Sequence, residues 1–337
     1  MSGPRLVIPG MSTLVAALVI LAAPPPATAG RGYEHTVVGN PADVTTTTAP
    51  GLALMGGGDD VEDAFRWMIA KSGGGDFVVI RARGSDDYNP YLLGLGGSDS
   101  VETLIIKSRR AAADPFVIER IRSAEALFIA GGDQWNYVRL WKGTPVEDAI
   151  HAVAAKGAPV GGTSAGLAIL GEFAFSAEHD TVTSIEALDD PYHRRVVLER
   201  DFLVFPLLAR TITDSHFVER DRMGRSIAFL ARILQDGWAP EVRGIAIDRQ
   251  TALLVEPDGT VSIRGVPSRA AYMLRAAGPP EACRPDTPLT LCGVSVYRLT
   301  GDAKFDLRAW TGRGGTEYTL SAVSGTLSST QGNGGVY

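Results

Sequence analysis

The chain has 337 residues and a formal net charge of −6, with 45% hydrophobic and 21% charged residues. That length admits one large or two modest domains with a sizeable core. The acidic balance argues against non-specific nucleic-acid binding.

Residues 1–29 read as a secretory signal. Arg5 gives a weakly positive start, Leu14 to Ala23 an apolar core, and Ala27-Thr28-Ala29 a small-x-small cleavage site before Gly30. Met11 offers an alternative start. An uncleaved anchor is disfavoured because the apolar run is short and Pro24 to Pro26 break it. The expectation is a secreted or periplasmic protein with no membrane association after cleavage. In an exported chain the two cysteines, Cys283 and Cys292, suggest a disulfide on a late loop.

Residues 30–49 form a leader or edge segment ending in Thr45 to Thr48. Gly51 to Met55 reads as a buried strand closed by Gly56-Gly57-Gly58, and Val61 to Lys71 has helical apolar spacing. Phe77 to Ile80 is a second strand. The Gly/Ser/Asp/Asn-rich stretch from Arg83 to Ser100, with Tyr88 and Tyr91, suits either a wall of a binding site or a surface loop. Thr103 to Ile106, a helix over Pro115 to Ser123, and a strand over Ala126 to Ala130 follow. Gly131-Gly132-Asp133-Gln134-Trp135 then opens a helix through Leu140, and a further helix runs from Pro145 to Lys156.

Next comes Pro159-Val160-Gly161-Gly162-Thr163-Ser164-Ala165-Gly166-Leu167. Gly-x-Ser-x-Gly between a strand and a helix is the pattern of a nucleophile elbow. Gly162 and Gly166 let the backbone bend so that the Ser164 hydroxyl stands clear. The Ala165 N–H would face an oxyanion formed there. Strands alternating with amphipathic helices predict a parallel sheet with helices on both faces. The Gly56, Gly131 and Ser164 loops should then share the rim at the carboxyl ends of the strands, where such sheets bind ligands.

Residues 171–210 are irregular. Ile212 to Arg225 is rich in polar and charged groups, and Ser226 to Leu234 continues as an apolar helix. From Gly244 the texture becomes β, with Asp258-Gly259 as a hairpin turn. The predicted organisation is a signal (1–29), a leader (30–49), an α/β domain (50–275) and a β-rich extension with a mobile tail (276–337).

A serine needs a base, and histidine is the usual one. Of the five histidines, His35, His151, His179 and His193 sit in the leader, in mid-helix or beside exposed charges. His216 follows a strand-like run among polar groups and is the best placed. Arg220, Arg222 and Arg225 crowd the same segment. They read as a solvated charged face or as guanidinium forks for substrate carboxylates.

Together, Gly161-Gly162-Thr163-Ser164-Ala165-Gly166, Gly131-Gly132-Asp133-Gln134 and Asp214-x-His216-Phe217-x-x-Arg220-x-Arg222-x-x-Gly224-Arg225 resemble the cyanophycinases, with dipeptidase E as a more distant relative. The resemblance spans roughly residues 50–270. It implies a class I glutamine-amidotransferase-like, flavodoxin-like α/β fold: a three-layer sandwich with a mostly parallel sheet, here followed by the β-rich extension. It further implies a serine peptidase with Ser164 as nucleophile, His216 as base, and an oxyanion hole at Gly132 and Ala165. Gln134, Asp214, Arg220, Arg222 and Arg225 would hold a β-aspartyl substrate. The acid that completes the triad is expected between serine and histidine. Glu186 is preferred, with Glu172, Glu178 and Asp180 as alternatives. Neither a metal nor another cofactor is implied. The expected partners are an acidic or β-aspartyl peptide and, by the family's habit, a second copy of the chain in a homodimer. Ser215 departs from the resemblance, because cyanophycinases usually place Gln before the histidine.

Two other classes share some of these features. An α/β-hydrolase esterase has the same elbow but normally a late histidine, whereas none follows His216 here. A non-catalytic binding protein on the same fold would not need Ser164, His216 and the Gly-Gly turn together.

Overall fold

The computed structural model describes Met1, Gly3 and residues 32–337. The signal segment lies outside the described residues apart from those two positions.

Five parallel strands form the centre of the first sheet, in the spatial order Ser100–Ile106, Asp76–Arg81, Ala126–Ile129, Val160–Thr163 and Leu52–Met55. They are rich in Val, Ile, Leu and Phe and almost wholly buried, as strands covered on both faces must be. On one face lies helix Glu62–Lys71, whose Phe65 and Met68 pack against Phe77 and Phe128. On the other lie helices Pro115–Ser123, Gln134–Trp141 and Pro145–Ala155. Asp114 and Asp133 each accept a hydrogen bond from the backbone N–H two residues on. They thereby cap the first two of these three helices. Antiparallel strands extend the sheet at both edges. The leader supplies Tyr33–Gly39 on one side; Thr251–Val255 and Thr260–Gly265, joined through Asp258-Gly259, lie on the other.

A second, mostly antiparallel sheet packs beside the first through the core shared by Ile245, Ile247, Met273 and Leu299. Its other face is covered by helix Met223–Gln235, which buries Ile227, Leu230 and Ile233 against Leu274 and Val296. In this sheet Thr211–Asp214 runs parallel to Glu241–Ile247 and delivers the chain to His216. The α/β architecture of the first sheet follows from the alternation of apolar strands and amphipathic helices, and the covering helix contains the apolar run Ser226 to Leu234 expected to be helical.

Three expectations need correction. The stretch between Arg83 and Ser100 contains a helix, Tyr88–Leu95. Tyr88 packs on Phe65 and Phe128, and Tyr91 packs on Phe65, so these rings serve the core rather than a binding wall. Residues 276–337 are β-rich, as expected, and their strands join both sheets. Strand Thr287–Leu299 pairs with Ala271–Ala277 in the second sheet, and Lys304–Asp306 pairs with Thr260–Gly265 in the first. The tail is held in place: Tyr337 lies edge-on to Phe217 and Tyr272, and its hydroxyl accepts from the Met223 N–H (3.0 Å) and donates to Asp221 (2.7 Å). Both cysteines are free thiols. Cys283 is buried in the second core while Cys292 is exposed, so the two point into different surroundings. Among the described residues, no helix is long and apolar enough to cross a membrane.

Candidate active site

Strand Val160–Thr163 ends at Ser164, which adopts φ 51° and ψ −112° before helix Ala165–Ala168 begins. A non-glycine residue in that region is strained, and strain of this kind gathers at functional turns. The flanking glycines make it sterically feasible. A Cβ on Gly162 would meet the Gly166 carbonyl carbon at 2.7 Å, and one on Gly166 would meet the Ile129 oxygen at 2.0 Å. The Ser164 N–H is tied to the Met55 carbonyl at 3.1 Å, so the elbow is anchored to the neighbouring strand.

His216 faces it. Ser164 Oγ and His216 Nε2 are 3.0 Å apart, across a sequence separation of 52 residues. His216 also has a positive φ, 45°, and its N–H is held by the Gly56 carbonyl at 2.8 Å. Two further backbone ties fix the segment: the Asp248 carboxylate accepts from the Val218 N–H at 3.1 Å and from the Ala270 N–H at 2.9 Å. Burial, then the positive charges of Arg220 and Arg222, push the imidazole down to about 4, against a smaller upward pull from Glu219. At neutral pH the ring is therefore a free base facing a serine hydroxyl.

Gly132, Gln134, Ser164, Ala165, Phe175 and the arginines line a small cavity of about 60 Å³. Gly132 and Ala165 line this cavity together with Ser164. The Ala165 N–H begins a helix, where backbone donors lack intrahelical partners. A larger cavity, about 470 Å³, opens near Tyr297, Trp310 and Tyr318, but it contains no histidine and lies away from the elbow.

The three arginines divide their work. Arg225 is almost fully buried and grips Asp214 through Nε at 2.9 Å and a second contact from Nη2. Arg222 donates to the Ser215 carbonyl at 2.7 Å and stands 3.4 Å from Asp214. Burial pushes Arg222 down to about 10, which leaves it charged at neutral pH. Burial raises the Asp214 carboxyl, but the two guanidiniums outweigh it and hold the group below the usual carboxylate range. Asp214 is thus spent on positioning arginines. Arg220 is exposed at the cavity mouth, and among the described residues it has no ion-pair partner. One carboxylate against three guanidiniums leaves the cavity positive beside Ser164. Gln134 lies across it and donates to the Phe175 carbonyl at 3.2 Å.

The expected acids lie elsewhere. Glu186 sits in helix Ser184–Asp189, where Oε2 accepts from the Thr183 N–H in a capping box and Oε1 accepts from Arg195 at 2.6 Å. Neither oxygen reaches His216. Glu172 accepts from the Arg210 N–H, and Asp180 from the Thr181 N–H. Glu178 is exposed, and its backbone N–H donates to the Ser176 hydroxyl. The carboxylate that does approach is Glu219, whose Oε2 stands 3.8 Å from His216 Nδ1 and whose Oε1 accepts from Arg249 at 3.0 Å. Three of the other four histidines are engaged in structure: His35 with Glu102, His151 with the Val204 N–H, His193 with the Arg195 N–H. Gly57 also belongs to the site. A Cβ there would lie 2.3 Å from His216 Nε2 and 3.0 Å from Ser164 Cβ. Among the described residues no cluster of His, Cys, Asp and Glu is arranged to hold a metal.

A strained serine at a strand-to-helix turn, paired with a neutral histidine on an α/β sheet, is the layout of a serine hydrolase. Comparison with known proteins narrows the class. Residues 93–261, half of the chain, match the model of peptidase family S51. The chain is 29% identical over 170 residues to a cyanophycinase of Trichormus variabilis, covering 50% of this chain and 52% of the relative. It is 28% identical over 215 residues to a cyanophycinase of Synechococcus elongatus, covering 63% and 62%. The chain thus spans between about half and two thirds of the length of the curated relatives it matches. The crystal structure of a peptidase from an acI-B1 Actinobacterium shares the fold, with a TM-score of 0.51, 15% identity, and coverage of 77% of this chain and 98% of that one. The chain belongs to peptidase family S51.

Proposed function

We propose that this protein is a serine peptidase that cleaves amide bonds formed by aspartyl side-chain carboxyls, as in multi-L-arginyl-poly-L-aspartate or β-aspartyl dipeptides. The observation that carries the reading is the 3.0 Å contact between Ser164 Oγ and His216 Nε2 at the edge of an arginine-lined cavity.

In the proposed reaction His216 Nε2 takes the Ser164 proton as Oγ attacks the substrate carbonyl. The negative oxygen that forms is received by the N–H groups of Ala165 and Gly132, each worth about 10²–10³ in rate. His216 then passes the proton to the leaving amine, the C–N bond breaks, and an acyl-enzyme on Ser164 remains. Water, deprotonated by His216, releases the acid. Arg220, with Arg222 and Arg225 behind it, attracts a carboxylate of the substrate and fixes its direction.

Three finer points belong to the same reading. Export through the segment at residues 1–29 would place the enzyme outside the cytoplasm, where polymer released from other cells is accessible. Dimerisation is proposed only by analogy with the resembled family. Ser215, smaller than the Gln usual beside the histidine in cyanophycinases, points toward short aspartyl peptides as well as polymer. A hydrolysis panel of cyanophycin, β-aspartyl dipeptides, α-aspartyl peptides and simple esters tests the reading. Turnover confined to the β-aspartyl compounds is expected, and turnover of esters alone contradicts it.

A further inference from the structure

We propose that Glu219, anchored by Arg249, is the carboxylate that orients His216 and stabilises its cation while Ser164 is acylated. The proposal rests on the Ser164–His216 reading given above. With Nε2 facing the serine, the neutral base must carry its proton on Nδ1. A group that accepts from Nδ1 therefore fixes the productive tautomer. Among the described residues, Glu219 is the carboxylate within ion-pair range of that nitrogen, at 3.8 Å.

That separation is longer than a hydrogen bond. The other carboxylate oxygen of Glu219 is held by Arg249 Nη1 at 3.0 Å. Contacts of this kind are commonly long before substrate binds and tighten as charge develops on the ring. The two residues are also placed by shared supports. Asp248, next to Arg249, holds the Val218 N–H next to Glu219. On the neighbouring glycine loop, a Cβ at Gly58 would stand 2.9 Å from Arg249 Nε, so that loop closes directly over the guanidinium. The positive φ of His216 turns the chain back on itself, which brings a carboxylate three residues later alongside its own ring.

Electrostatics point the same way. The charged groups facing the imidazole are Arg220 and Arg222, which oppose a second positive charge, and Glu219, which favours it. When His216 accepts the serine proton, Glu219 is the negative charge on hand to offset the imidazolium. Glu186 cannot share the task, since both its oxygens are committed to Thr183 and Arg195.

The test uses the rate at which a fluorophosphonate labels Ser164 in the full chain, measured across pH, because that readout needs no assumption about substrate. Glu219→Gln should slow labelling about tenfold to hundredfold, a modest value for a carboxylate that is partly solvated. It should also move the acid limb of the profile to lower pH, since the lost carboxylate was raising the imidazole. Glu219→Asp should recover part of the rate, and Arg249→Gln should give an intermediate loss. Thermal unfolding midpoints close to wild type would confirm that the variants are folded. Wild-type rate and limb in Glu219→Gln would overturn the inference, as would a comparable loss confined to Glu186→Gln. Failure of the wild type to label at Ser164 overturns the Ser–His reading itself, whereas a labelled wild type with an unaffected Glu219→Gln overturns this inference alone.

Discussion

Gly57 lies so close to His216 that a Cβ on the glycine would stand 2.3 Å from Nε2, and its own φ is +91°. The loop after the first parallel strand is therefore cut to the shape of the Ser164–His216 pair. Gly57→Ala has two penalties, a left-handed backbone and a methyl group inside the contact. Fluorophosphonate labelling should fall by at least about 10²-fold, since small displacements of a catalytic pair cost on that order. The measurement is the labelling rate of a variant whose unfolding midpoint is also recorded.

Asp214 compensates two buried guanidiniums, Arg225 and Arg222. Removing one partner of a buried pair strands the others, at a cost of about 3–5 kcal/mol. Asp214→Ala should lose about that much stability in urea unfolding at pH 7. The carboxyl titrates below its ordinary value in the folded state, so its contribution is present above the unfolded pKa and is lost as pH falls through the folded one. Wild type and Asp214→Ala should therefore converge in stability at strongly acid pH.

Arg220 and Arg225 should behave differently. Arg220 is exposed at the cavity mouth and has no ion-pair partner among the described residues, so Arg220→Ala should raise KM for acidic substrates several-fold, more at low salt, with little change in stability. Arg225→Ala leaves Asp214 without its bidentate partner and should destabilise the fold as well as weaken turnover. Equal, purely kinetic effects of the two substitutions would contradict this division.

Burial and neighbouring arginines push His216 down to about 4. The base form acts, so protonation removes activity. The acid limb of the labelling rate should fall near pH 4 rather than near the ordinary histidine value of about 6.5. A limb at the ordinary value would show that the ring is better solvated than the structure places it.

Much of this was legible in the sequence. The parallel strands are unbroken apolar runs, the helices between them carry 3.6-residue spacing, and Ser164 lies in a pattern whose glycines have one steric use. Helix Tyr88–Leu95 was hidden because Asn89, Pro90 and the nearby glycines compose a turn. Pro90 is nonetheless tolerated in a first helical turn, where its missing N–H costs nothing. The cysteine pairing failed because nearness along the chain says little once Cys283 turns into the core and Cys292 toward solvent. Glu219 is one carboxylate in a run of charges, and its nearness to Nδ1 depends on the positive φ at His216, a backbone choice the sequence does not announce. The Tyr337 anchor was equally invisible, since a Gly/Ser-rich tail carries no periodicity.

Tyr337 gives one more prediction. Its hydroxyl bridges the Met223 N–H and Asp221, on the segment that presents Arg220 and Arg222. Tyr337→Phe keeps the ring packing and loses both hydrogen bonds. KM for acidic peptides should rise about two- to tenfold with kcat nearly unchanged, given about 0.5–1.5 kcal/mol for a typical hydrogen bond. Steady-state kinetics on the variant would check it.

The most direct test of the account is mass spectrometry of the protein after fluorophosphonate treatment, run beside hydrolysis of a β-aspartyl dipeptide. Ser164 should carry a single adduct, hydrolysis should stop with it, and Ser164→Ala should show neither adduct nor turnover while unfolding at the wild-type midpoint. Turnover retained by Ser164→Ala would contradict the account.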